Sequence, residues 1–332
     1  MVGAILPAMT NTPVTTELGT ATPGTSESAA VTAVAPLRSG IVISSASPRE
    51  FSELAVAAEE AGWDAIFTWE AVWGQDAWVT LTAAAMVTSR IRLGTMLTPL
   101  PRIRPWDLAG RAATLDNLSG GRVQLTVGLG ALHDGWLAFE ADEGRKVRAE
   151  KLDEGLAIYG GLMHGQPYSF SGKHYRVRPT DFAPPPAPVQ QPRVPVWVIG
   201  AYPSKKSLGR AAVWDGLLST KVGYGVETPF TPADLADVVA AVRPLREAAG
   251  LSWEGYDVVA EGSVNPGRRV TGTFESGWMP GRAGGWNRIG RWRVTRSPGT
   301  GDGSRRAHRG RDRPAAAAVR CATFGGCAAG RW

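Results

Sequence analysis

The chain has 332 residues, room for one large α/β domain or two smaller ones. No stretch of about eighteen apolar residues occurs, which argues against a membrane span, and the N-terminus lacks the basic start and compact apolar core of a secretory signal. The formal charge of +6 hides an asymmetry: from Ser263 to Trp332 there are 14 Arg, no Lys and three acids, leaving 22 basic against 27 acidic residues before that point. The body is mildly acidic, so any nucleic-acid reading rests on the tail alone.

Residues 1–37, rich in Thr, Ala, Pro and Ser, read as a disordered leader. The first strand is expected at Gly40–Ser44. Ser47-Pro48-Arg49-Glu50 then forms a capping box with Pro at the first helical position. Phe51, Leu54, Ala55 and Ala58 supply that helix's buried stripe, and Gly62 stops it. Ala65–Thr68 reads as the second strand and Ala77–Val87 as the second helix. Arg92–Thr95 and Val123–Val127 flank an amphipathic helix from Pro105 to Leu118, with Leu108, Ala112, Leu115 and Leu118 on one face. Strand, helix, strand within about forty residues is a βαβ unit.

Arg145–Met163 follows as the fourth helix. Tyr168 to Tyr175 reads as a small hairpin, and Pro184-Pro185-Pro186 as an extended connector. Pro195–Ile199, Gly216–Leu218 and Tyr256–Glu261 read as strands five to seven. Thr231 caps the helix between the last two. These strands suit a TIM-type (β/α)8 barrel with an insertion after strand four. Strands one to seven are visible; strand eight and the last helices are missing, which leaves two edges and an uncovered core.

The barrel domain is therefore taken as 38–262. Residues 263–332 hold 14 Gly and no Leu, and show neither helical nor strand period. That stretch reads as a disordered Arg/Gly-rich tail, of the composition a GC-rich gene gives when read out of frame. A frameshift close to Gly262 is expected; the rival is a genuine extension contacting nucleic acid. Cys321 and Cys327 are not at zinc-ligand spacing, and no metal site is expected.

Several motifs resemble the bacterial-luciferase-like family of flavin- or deazaflavin-dependent oxidoreductases. They are Ser89–Thr95 (SRIRLGT), Arg104-Pro105-Trp106, Leu115–Arg122 (LDNLSGGR) and Val127–Gly130 (VGLG). Further matches are Ala57–Asp64, Arg148–Glu154, Pro195–Gly200 and Trp214-Asp215-Gly216. Each is weak alone; in order at these spacings they are specific, and they cover roughly Arg38 to Gly262. The resemblance implies a soluble, cytoplasmic luciferase-like monooxygenase or oxidoreductase. It would use reduced FMN for oxygenation, or a reduced deazaflavin coenzyme for hydride transfer, on a small organic substrate. It further implies a homodimer in the intact family and a flavin or deazaflavin reductase as partner. Loss of the barrel's C-terminal part would inactivate this chain. The alternative from another class is a non-catalytic remnant or a binding protein whose basic tail contacts nucleic acid.

In such a barrel the chemistry sits in loops after the strands. Ser44 and Ser45 follow strand one and are small enough to lie under a flavin ring. Trp69 and Glu70 follow strand two, and a carboxylate beside aromatics is a candidate acid or base. Thr95 ends strand three, where the resemblance implies a strained non-proline peptide behind the flavin. Arg102 and Arg104, in the loop beyond, are weaker phosphate candidates. Gly128, Leu129 and Gly130 follow strand four, where glycines let backbone approach a flat ligand. His133 comes next as a candidate base. Gly200, Ala201 and Ser204 open the helix after strand five and could hold a phosphate on backbone N–H groups. Lys205, Lys206 and Ser219-Thr220-Lys221 are weaker candidates of the same kind. Glu70 and His133 are taken as catalytic, and Ser44, Ser45, Trp69, Thr95, Gly128, Leu129, Gly130, Gly200, Ala201 and Ser204 as cofactor-binding; His164 and His174 read as structural.

Overall fold

The computed structural model describes residues 38–44, 46–132, 135–181, 186–223, 230–263, 274–280, 286–292 and 319–324, with backbone alone from residue 262 onward. Ser45, His133 and Cys327 lie outside the described residues, as does the leader 1–37. In chain order the elements are β1 (Arg38–Ile43), α1 (Pro48–Glu60), β2 (Ala65–Thr68), α2 (Ala77–Val87), β3 (Arg92–Thr95), β4 (Thr98–Pro99), α3 (Pro105–Ser119), β5 (Val123–Gly128) and α4 (Arg145–His164). There follow β6 (Tyr168–Ser171), β7 (Arg176–Thr180), β8 (Val196–Tyr202), α5 (Lys205–Ala212), β9 (Gly216–Lys221), α6 (Pro232–Ala248) and β10 (Asp257–Ser263). The tail contributes β11 (Phe274–Pro280), β12 (Trp286–Trp292) and β13 (Val319–Phe324).

Local chemistry explains where the helices begin. The Ser47 hydroxyl accepts from Glu50 N–H at 3.3 Å while the Glu50 carboxylate accepts from Ser47 N–H at 2.9 Å, the reciprocal box expected from the sequence. Asp76 accepts from Trp78 N–H and Val79 N–H to start α2. Thr231 and Asp234 form a second box at α6. Gly120, at φ 69°, terminates α3 in the left-handed region that only glycine enters freely.

Seven strands run parallel in the order β1, β2, β3, β5, β8, β9, β10. This is the barrel wall expected, one parallel strand short of eight among the described residues. Its missing place is not left open. β13 lies antiparallel between β10 and β1, pairing Ala322 with both Glu261 and Gly40. The sequence shows no alternation there, so this pairing was not legible in it. The insertion after β5 and α4 is the hairpin β6–β7, which runs on to Thr180.

Strand alternation sorts the core into two layers. Val196 and Val198 of β8 point outward to the helices with Leu93, Leu125 and Leu217. Trp197 points into the barrel with Val42, Phe67, Met96, Leu218 and Val259. Two residues expected inside are not buried: Leu54 is 39% exposed and Leu118 46%. At 100° per residue, Leu54 stands about 60° from Phe51 and Leu118 about 80° from Leu108, so each falls at the edge of its stripe.

Candidate active site

The C-terminal ends of the strands and the loops beyond them enclose a cavity of about 890 Å3. Its described lining residues lie between Trp69 and Val222. No helix among the described residues is long and apolar enough to cross a membrane. No group of three or more His, Cys, Asp or Glu among them is placed to hold a metal ion.

Of the residues singled out in the sequence, Trp69, Glu70, Gly128, Leu129, Gly130, Ala201 and Ser204 line this cavity. Ser44, Thr95 and Gly200 do not. For Gly200 the reason is the strand itself. β8 continues to Tyr202 instead of ending at Ile199, so Gly200 keeps the outward phase of Val196 and Val198. A Cβ there would meet Leu217 at 3.2 Å and Leu208 at 3.4 Å, on the helix side of the sheet. Thr95 is buried beneath the floor, its hydroxyl 2.8 Å from that of Thr98. Of the weaker candidates, Lys206, Ser219 and Thr220 line the cavity. Arg102 is instead engaged with Glu140 at 3.1 Å and with the Trp136 ring at 5.3 Å. His174 bonds Glu150 at 2.8 Å, and Glu150 is itself a lining residue, so this histidine stands closer to the cavity than its hairpin position suggested.

Glu70 is the most constrained polar group of the wall. Its Oε2 accepts from Thr98 Oγ1 at 2.5 Å and its Oε1 from Trp78 Nε1 at 3.1 Å. Arg111 approaches Oε1 at 3.7 Å. Burial pushes the carboxyl above the usual range, with Asp76 adding to the rise, and the Thr98 and Trp78 hydrogen bonds and Arg111 oppose it without cancelling it. The peptide bond between Met96 and Leu97 is cis, and both residues line the cavity.

Gly130, at φ 77°, brings backbone to the wall beside Trp136; a Cβ would come within 2.6 Å of that ring and 2.8 Å of Pro99. Trp136 is held by Arg102 on one contact and by Arg148 at 5.6 Å on another, while its Nε1 donates to Glu140 at 3.0 Å. The sequence reading missed Trp136 and the lining group Arg145, Lys146, Glu150 and Asp153 at the start of α4. The run Arg145-Lys146-Val147-Arg148 was its only signal, and solvated helix faces carry such runs routinely. Lys173 and His174 hydrogen-bond Glu150 and hold its carboxyl at about 2.

Residues 16–269 match the family model described as luciferase-like monooxygenase. The chain belongs to this family. A putative coenzyme F420-dependent oxidoreductase of Mycobacterium tuberculosis is 36% identical over 132 residues, covering 39% of this chain and 37% of the relative. An F420-dependent glucose-6-phosphate dehydrogenase of Nakamurella multipartita is 33% identical over 246 residues, covering 69% and 68%. The chain thus spans little more than a third of the first relative's length and about two thirds of the second's. Among solved structures, the coenzyme F420 dependent tetrahydromethanopterin reductase from Methanopyrus kandleri superposes with a TM-score of 0.57 at 22% identity, covering 68% of this chain and 65% of that one. The oxygenating constituent of 3,6-diketocamphane monooxygenase of Pseudomonas putida, in complex with FMN, gives 0.53 at 19% identity, covering 64% and 60%. At these identities the structures establish the luciferase-like barrel fold alone.

Proposed function

We propose that this luciferase-like chain is a flavin- or deazaflavin-dependent oxidoreductase acting on a small organic molecule, with the deazaflavin coenzyme as the preferred cofactor. The observation that carries the reading is the cavity at the strand ends with the largely buried Glu70 in its wall. Its volume falls in the range of about 300–1,000 Å3 usual for ligand sites. The residues present fit such a cofactor. Met96, Leu97, Leu129 and Ile199 give an apolar bed for a flat ring. Ser204, Lys206, Ser207 and Arg210, at α5, give hydroxyls and cations for a phosphate near a helix N-terminus. The preference for deazaflavin rests on the relatives described as F420-dependent.

A bound deazaflavin supplies hydride transfer, and reduced FMN supplies oxygen chemistry. The chain's own part is to bind, shield and move a proton. Glu70, with its raised pKa, retains a proton closer to neutral pH than an ordinary carboxyl and is placed to donate it into the cavity. Trp69 and Trp136 restrict water at the walls. Ser44, Ser45, Thr95, Gly200 and His133, singled out by their places at or just after strand ends, stay in the proposed site, with Gly200 acting through the strand and not by contact. The proposal includes a cytoplasmic homodimer and a flavin or deazaflavin reductase as partner, both supported by family membership. It also keeps residue 262 as the end of the family-like part, close to where the family match stops at 269.

Turnover assays test this: deazaflavin under anaerobic conditions, reduced FMN under aerobic ones, each with and without a chelator. Activity should require one of the two cofactors and ignore the chelator. Activity that survives removal of both and vanishes with the chelator contradicts the assignment.

A further inference from the structure

The cavity has two chemically different parts. Around the ends of β2, β3 and β5 the wall includes Trp69, Met96, Leu97, Leu129 and Trp136, and among the described lining residues there the charged one is Glu70. The remaining charged lining residues come from α4 and α5: Arg145, Lys146, Lys206 and Arg210, with Glu150 and Asp153 beside them. Arg111, the cation nearest Glu70, is turned onto its Oε1 and is not part of the lining.

Apolar surface continues outward from the first part. Val72 lines the cavity, and the next residue, Trp73, is 85% exposed with its ring 6.3 Å from that of Phe139, itself 60% exposed. Leu137, which follows the lining Trp136, is 59% exposed. Single exposed apolar side chains are ordinary. Three of them beside one cavity mouth form the kind of patch that marks a ligand's path.

We infer that the molecule converted is an uncharged, largely apolar organic compound that enters across Trp73 and Phe139 and lies against the β2, β3 and β5 end, beside Glu70. The inference rests on the cofactor reading, which assigns the α5 cations Lys206 and Arg210 to the cofactor's phosphate. A phosphorylated substrate would instead set an anion beside a carboxylate, where the described lining residues include no cation, and would lose its hydration without a compensating charge.

The test is a titration of the full chain without cofactor, with inorganic phosphate in excess throughout so that the cationic end is filled. The probes are straight-chain secondary alcohols from butanol to octanol, and glucose 6-phosphate, read by tryptophan fluorescence and calorimetry. Affinity should rise about fourfold per added CH2, and glucose 6-phosphate should give no saturable signal. Trp73→Ser with Phe139→Ser should flatten that rise while leaving the melting temperature in place, since both side chains are exposed. An affinity independent of chain length, or glucose 6-phosphate binding as tightly as octanol, overturns the inference. A separate deazaflavin titration reads the cofactor proposal: deazaflavin binding with no chain-length slope sinks the substrate class alone, and a slope without deazaflavin binding sinks the cofactor reading alone.

Discussion

Thr98 donates a 2.5 Å hydrogen bond to Glu70 Oε2, and its oxygen also lies 2.8 Å from the Thr95 hydroxyl. This pairing ties the residue after β2 to the short strand β4 and aims one carboxyl at the cavity. Glu70→Gln keeps the shape and removes the titratable proton. Turnover should fall by about 10²–10⁴-fold, with cofactor affinity nearly unchanged. The acidic form is the useful one, so the wild-type rate should decline as pH rises through the elevated Glu70 pKa. Steady-state rates across pH, with binding measured in parallel, check this; a variant with wild-type turnover removes Glu70 from catalysis.

Gly130 and Gly200 should respond oppositely. Gly130→Ala forces a side chain at φ 77° into Trp136 and Pro99, and should weaken cofactor binding by tenfold or more, roughly 1.4 kcal/mol. Gly200→Ala meets only Leu217 and Leu208 at 3.2 Å or beyond and should leave cofactor affinity within about twofold. Equal losses in both would place Gly200 against the cofactor after all.

That contrast marks how far the sequence could be read. The element starts, the capping boxes at Ser47 and Thr231 and the seven parallel strands follow from local patterns, because capping and periodicity are local. The place of Glu70, Gly128 and Gly130 at the cavity was legible because each follows an apolar run at the barrel mouth. Gly200 was misplaced because strand length is set by neighbours: β8 pairs through Gly200, Ala201 and Tyr202 with β9. Trp136 and the α4 cations were missed because only the fold of the loop after β5 brings them over the cavity.

Glu59 should govern part of the acid stability. Burial opposes its charge, but backbone N–H groups of Ile91, Arg90 and Ser89 donate to it and bring its carboxyl down to about 2. A folded pKa below the unfolded one stabilises the protein above the ordinary carboxylate range, and that stability is lost as pH falls toward about 2. Glu59→Gln should cost about 1–3 kcal/mol at neutral pH, and the gap from wild type should close on acidification through that window. Denaturant melts at several pH values measure it; a gap constant with pH would refute the account of Glu59.

β13 should contribute to stability through its place between β1 and β10. Ala322→Pro removes a backbone donor from a strand paired on both sides. The expected loss is about 1–3 kcal/mol, or roughly 2–4 °C per kcal/mol in Tm. An unchanged melt would mean that the tail strand does not hold the barrel.

The central claim is that the lining residues between Trp69 and Val222, at the strand ends, form a cofactor site. Titration of the full chain with oxidised deazaflavin and with FMN, followed by fluorescence and calorimetry, tests it most directly. Saturable binding of deazaflavin at one site per chain, tighter than FMN and lost in Gly130→Ala, is the predicted result. Absence of saturable binding of either cofactor to a folded, cooperatively melting chain would contradict it.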